Sequence, residues 1–325
     1  MKLANSYTSF RRFRLEVLQL YQQGAYGQAL RRIERSIQDF PDYESQILNW
    51  QIDLLALSQD IEAALRVFKQ AIDKGYWYPV ETLDNDEDLA ALKGHPEFDR
   101  LAAICGERHS QAVLTARAKL ERFEPLPGTP APFPLLIAFH GRNANAGSSA
   151  SYWQSLADKG WLVALPQSSQ IIGQNSYCWD DRELGILEAQ GHFEALIESY
   201  PVDRERVILG GFSQGAGMAI WMTIRRLLPA TGFIAVSPFI AGHGLIADQA
   251  TESPGRELRG YLLTGDQDQY QELFAEIERL LQASRVKYQR ERLADLGHDY
   301  PVDFDARLTR ALRFILEREP ETDSK

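Results

Sequence analysis

From about Gln111 onward the chain sets short apolar runs against longer stretches of helical spacing, and this alternation restricts the fold more than any other feature. The runs are FPLLIAF (133–139), WLVALP (161–166), RVILGGF (206–212), GFIAVSPFI (232–240), RGYLLTG (259–265) and the more polar KYQRERL (287–293). Helix-like segments lie between them, near 152–159, 182–200, 217–228, 270–283 and 304–316. Strands that are apolar throughout must be covered on both faces. The expected fold class is therefore α/β, a mainly parallel sheet with helices on either side. Ligands in such sheets sit at the carboxyl ends of the strands, so chemistry is sought there.

The first hundred residues follow a different period. From Phe10 to about Ala103 apolar residues recur at helical spacing, as in Phe13, Val17, Leu20 and Leu30, Ile33, Ile37, without strand-like alternation. GAYGQALRRIERSIQDFP (24–41) aligns with QDIEAALRVFKQAIDKGY (59–76), superposing Ala29 on Ala64, Leu30 on Leu65 and Ile33 on Phe68. Small residues at fixed spacing let antiparallel helices approach closely, and Gly24, Tyr26, Ala29 and Pro41 resemble a tetratricopeptide repeat. The expected organisation is a repeat-like all-α domain over 1–106, followed by a catalytic domain over 107–325, with CGERHSQ (105–111) as the link.

Of the 325 residues, 45 are Asp or Glu against 35 Lys or Arg, a net charge of -10. That leaves no cation excess for phosphate, so nucleic acid and anionic membrane surfaces are poor partners and a small neutral ligand fits better. The amino-terminal MKLANSYTSFRRFRLEVLQLYQQ never builds the apolar region of a secretory signal, and no window reaches the ~20 apolar residues of a membrane span. A cytoplasmic protein is expected. Its two cysteines, Cys105 and Cys178, make no metal spacing and are expected to be reduced.

Within RVILGGFSQGAGMAI, Ser213 stands where a strand stops and a helix starts, flanked two positions away by Gly211 and Gly215. Such a corner crowds the backbone, and the glycines remove the Cβ atoms that would clash. The hydroxyl is held above the sheet edge, near the N–H groups of the next helix, where developing negative charge would be stabilised. A nucleophilic serine needs an imidazole to take its proton and a carboxylate to orient the imidazole, in the chain order Ser, Asp, His. That order is present: Asp266 and Asp268 follow the run 259–265, and His298 follows the run 287–293. His243 comes too early in this order, and His95, His109 and His192 fall in helical or linking segments. The oxyanion donors are expected to be the N–H of Gln214 and, from the loop AFHGRNANAGSS after the first strand, the N–H of Arg142.

FHGRN, GFSQGAGMA, TGDQDQ and DLGHDYP resemble the matching blocks of the phospholipase/carboxylesterase group of α/β-hydrolases, which includes acyl-protein thioesterases and small carboxylesterases. The likeness runs over about 133–316. It implies a serine hydrolase that works through an acyl-enzyme, without metal or organic cofactor, and it favours Asp268 over Asp266. NSYCWDDRE (175–183) is similar to the family's Trp-containing loop, which makes Tyr177, Trp179 and Asp180 candidate substrate contacts, together with His140, Gly141 and Asn143. Thr264 stands where the family often has histidine, and Arg142-Asn143 where many members have Leu-Gly. The resemblance implies an ester or thioester substrate, with a short peptide as the alternative. The helical half, absent from the family's minimal form, is a candidate site for a protein partner.

Overall fold

The computed structural model describes residues 2–240 and 257–317. The chain forms two compact units. One comprises the residues up to Ala116 together with Ile171–Gln174, and the other Arg117–Gln170 with the described residues from Asn175 onward.

The first unit is helical: α1 (Lys2–Gln22), α2 (Tyr26–Glu34), α3 (Glu44–Leu57), α4 (Ile61–Asp73), α5 (Val80–Asn85) and α6 (Pro96–Thr115). Helix α1 packs on α2, α2 on α3 and α3 on α4, while α6 packs on both α4 and α5. Of the positions that superpose in sequence, Ala29 and Ala64, and likewise Ile33 and Phe68, are all fully buried, whereas Leu30 is half-buried where Leu65 is buried. One apolar cluster gathers around Phe10, Phe13, Ile33 and Ile47, and a second around Phe68, Leu92, Leu101 and Cys105. Arg108 closes the turn after α4, donating from Nη1 to the carbonyls of Ile72 at 2.9 Å and Tyr76 at 2.7 Å. The stretch 105–111, expected as a link, lies inside α6. Phe98, Leu101 and Cys105 are buried at spacings of three and four and hold the helix on its core. The division falls at Ala116 rather than at residue 106.

The second unit is built on a seven-stranded sheet of β1 (Lys119–Phe123), β2 (Phe133–Phe139), β3 (Leu162–Gln167), β6 (Val202–Phe212), β7 (Gly232–Val236), β8 (Arg259–Gly265) and β9 (Lys287–Leu293). Two short strands, β4 (Ile171–Gly173) and β5 (Ser176–Tyr177), stand outside it. The order is β1-β3-β2-β6-β7-β8-β9, with every neighbouring pair parallel except β1 against β3. Strand β1 escapes the apolar pattern because it is an edge strand, and KLERF carries its charges on a half-exposed rim.

Alternation along β2 sorts the core. Leu135, Ile137 and Phe139 enter one cluster with α8 (Arg182–Ser199), α9 (Gln214–Ile224) and α10 (Gln271–Ala283). Leu136 and Ala138 enter the other, with α7 (Ala146–Trp153) and α11 (Phe304–Leu316). Both faces are thus covered, as the apolar runs require. Strands β6, β8 and β9 run the same way, so the loops that follow them carry Ser213, Asp268 and His298 to one end of the sheet.

Candidate active site

Strand β6 ends at Phe212 and α9 begins at Gln214, so Ser213 alone makes the turn. Its φ of 53° and ψ of -120° place a non-glycine residue in the left-handed half of conformational space, at a cost of about 1–3 kcal/mol. The surroundings impose it. The Ser213 N–H donates to Val236 O at 2.9 Å, while its carbonyl accepts from Gly217 N at 3.1 Å and Phe239 N at 2.9 Å. A Cβ at Gly211 would lie 2.4 Å from the Gly215 carbonyl carbon, and one at Gly215 would lie 2.3 Å from the carbonyl oxygens of both Phe139 and His140. Only glycine fits at either position.

Ser213 Oγ lies 2.8 Å from His298 Nε2, and His298 Nδ1 lies 2.9 Å from Asp268 Oδ2. The other carboxylate oxygen, Oδ1, accepts the Tyr270 N–H at 3.0 Å. Asp268 is only 2% exposed. Burial alone would raise its carboxyl, but the hydrogen bonds from His298 and from the Tyr270 backbone hold it below the usual carboxylate range. An ionised Asp268 only accepts, so Nδ1 of His298 donates to it, which in the neutral imidazole leaves Nε2 to accept from the serine hydroxyl. Phe212 and Tyr270 flank the imidazole, each with its ring centre 5.0 Å from it. Asp266 is turned elsewhere: it is exposed and accepts the Asp295 N–H at 2.8 Å.

Gln214 is the first residue of α9, so its N–H has no intrahelical acceptor. Arg142 follows β2 across the same corner. His140, expected at the substrate, is instead fully buried. Its Nδ1 lies 2.8 Å from Gly141 O, and its Nε2 accepts the Ser168 N–H at 3.4 Å. Burial pushes the ring down to about 4, so it is neutral. Because a trans peptide points its C=O and N–H in opposite directions, a bond that pins Gly141 O also aims the Arg142 N–H. Gly141 leaves no room for a side chain, since a Cβ there would lie 2.9 Å from the Phe212 ring.

Trp179, a second expected substrate contact, is 3% exposed and belongs to the core, with its ring edge-on to Phe139 and its Nε1 donating to His140 O at 2.9 Å. Tyr177 is bonded through its backbone, accepting from Asn143 N and donating to Ala144 O, each at 3.0 Å. Asn143 is exposed at a φ of 61°. Asp180 accepts from Gln214 Nε2 at 2.7 Å and pairs with Arg142 Nη1. No spacing in the sequence signals that carboxylate bridge. Of the other histidines, His95 caps α6 by accepting the Glu97 N–H, His109 stacks on Trp77, and burial lowers His192. His243 lies outside the described residues. Both cysteines are free and buried.

Among the described residues no helix is long and apolar enough to cross a membrane. None of their His, Cys, Asp and Glu form a group of three or more that could hold a metal ion.

The parallel sheet with its serine at the strand-to-helix corner defines an α/β-hydrolase. Residues 172–315 match the phospholipase/carboxylesterase family model, and residues 9–113 match the model of an A/B hydrolase-like N-terminal domain. The solved structure of an uncharacterized protein from Bacillus cereus is 30% identical and aligns over 94% of this chain and 98% of its own, with a TM-score of 0.53. The structure of esterase PE8 shares the fold at 21% identity, over 62% of this chain and all of that one, with a TM-score of 0.51. Acyl-protein thioesterase 1 of Neurospora crassa is 29% identical over 86 residues, 25% of this chain and 33% of the relative, so the chain spans about a third of that relative's length. Over residues 172–315 the chain thus carries a domain of the phospholipase/carboxylesterase type.

Proposed function

We propose that the protein cleaves carboxylic esters or thioesters through an acyl-enzyme on Ser213. The observation that carries this reading is the hydrogen-bonded series from Ser213 Oγ through His298 to the buried Asp268. Ser213 Oγ attacks the carbonyl carbon and its proton passes to His298 Nε2, while Asp268 holds the imidazolium. The carbonyl oxygen takes the negative charge and receives the N–H groups of Gln214 and Arg142. The bond to the leaving oxygen or sulfur then breaks, and His298 returns the proton to the departing alcohol or thiol. Water, deprotonated by His298, attacks the acyl-enzyme, releases the acid and restores the Ser213 hydroxyl.

The test is turnover of p-nitrophenyl esters, acyl thioesters and aminoacyl anilides by the intact protein. Hydrolysis of esters or thioesters, lost in Ser213→Ala, supports the reading. Anilide cleavage alone would favour a short-peptide peptidase, and no turnover at all a binding scaffold.

A further inference from the structure

We propose that Asp180 is a positioning residue for the oxyanion-binding end of this site, its carboxylate tying together the side chains of the two residues whose N–H groups receive the oxyanion. The inference deepens the serine-hydrolase reading and rests on it.

Arg142 and Gln214 come from different elements, the loop after β2 and the start of α9, and each must present its N–H to the same point. Asp180 Oδ2 takes Arg142 Nη1, and Oδ1 takes Gln214 Nε2 at 2.7 Å. The other end of the Gln214 amide accepts the Trp179 N–H at 2.9 Å, so the side chain is bonded at both ends and cannot turn over. Trp179 Nε1 on His140 O and the Tyr177 backbone on Asn143 and Ala144 hold the same loop from the same four-residue segment. Residues 177–180 thus form a brace for the loop 140–144.

Magnitude argues for geometry over stability. The side chains of Arg142 and Asp180 are 34% and 49% exposed, and an ion pair so open to solvent adds little to folding. A donor displaced from an oxyanion is costlier, about 10²-fold in rate for roughly 1 Å. Burial would raise the Asp180 carboxyl, but Arg142 and Gln214 keep it below the usual range, so it remains an acceptor at neutral pH. Both oxygens are engaged, which leaves Asp180 poorly placed for the substrate contact expected of it.

The experiment compares Asp180→Asn and Arg142→Ala with wild type, reading kcat and KM on a p-nitrophenyl ester, affinity for a trifluoromethyl ketone that adds Ser213 as an anionic adduct, and thermal unfolding. Asparagine offers an acceptor to one partner only, and the alanine variant keeps the Arg142 N–H while losing the tie. We expect kcat to fall about 10²-fold in Asp180→Asn and about 10-fold in Arg142→Ala, ketone affinity to fall in step, and KM to stay within about threefold. The double variant should be no worse than Asp180→Asn by more than about twofold, because both changes cut one connection. Unchanged kcat and ketone affinity in Arg142→Ala overturn the proposal even if Asp180→Asn does not fold. Raised KM at wild-type kcat in Asp180→Asn would make Asp180 a substrate contact, and lowered stability without the kinetic pattern a structural residue; each overturns it. Absence of wild-type turnover, or its survival in Ser213→Ala, would instead strike the hydrolase reading itself.

Discussion

Ser213 is held at a φ of 53°, a strained position that three backbone hydrogen bonds and two glycines impose. Ser213→Ala and His298→Ala are each expected to reduce ester turnover by ~10³ or more at unchanged fold, because such groups act as a unit. Between the carboxylates, Asp268→Asn should cost far more rate than Asp266→Asn, as Asp268 meets His298 and Asp266 meets the Asp295 backbone; the reverse ranking in steady-state kinetics would reassign the role. His140 carries a pH-dependent contribution to stability. Its ring is driven from the ordinary 6.5 down to about 4 by burial, so as pH falls through that interval the unfolded chain takes up a proton that the folded one refuses. The contribution is full above about pH 6.5 and lost as pH drops toward 4, by about 3 kcal/mol in all. Urea unfolding of wild type and His140→Asn at pH 7 and 4.5 checks the sign, and the variant should lose less stability on acidification. Equal losses would contradict it.

Elements built from apolar runs are the ones the sequence makes legible. Strands β2, β8 and β9 and helix α11 fall where the runs and spacings put them, and β6 differs only by starting earlier, at Val202. Strand β1 and the short β4 and β5 were illegible because edge and surface strands need no apolar alternation. The catalytic candidates were legible because strand order fixes which loops meet at the sheet's end, and Asp268 was separable from Asp266 only through family likeness. The roles of His140, Trp179 and Asp180 were not, since a loop's sequence does not say which way its side chains turn. At the β6–α9 corner, Gly215→Ala is expected to destabilise by more than about 3 kcal/mol, as its Cβ would press on two backbone carbonyls that cannot move independently. Urea unfolding, or failure to obtain folded protein, checks this; wild-type stability would contradict the packing described.

For the molecule as a whole, every residue of the proposed machinery belongs to the second unit. A chain shortened to begin at Arg117 is therefore expected to keep a reactive serine wherever it remains folded, and a folded, unreactive product would mean that the first 116 residues contribute to the site. The helical unit is matched by its own family model, over residues 9–113. Turnover should survive EDTA, and loss on chelation would reveal a metal requirement. The central claim is that Ser213 is an activated nucleophile, and its most direct test is reaction of the intact protein with a fluorophosphonate probe followed by peptide mass mapping. The account expects one adduct, on Ser213, abolished in Ser213→Ala and strongly slowed in His298→Ala; no adduct on the folded wild-type protein, or an adduct on another residue with Ser213 unmodified, would contradict it.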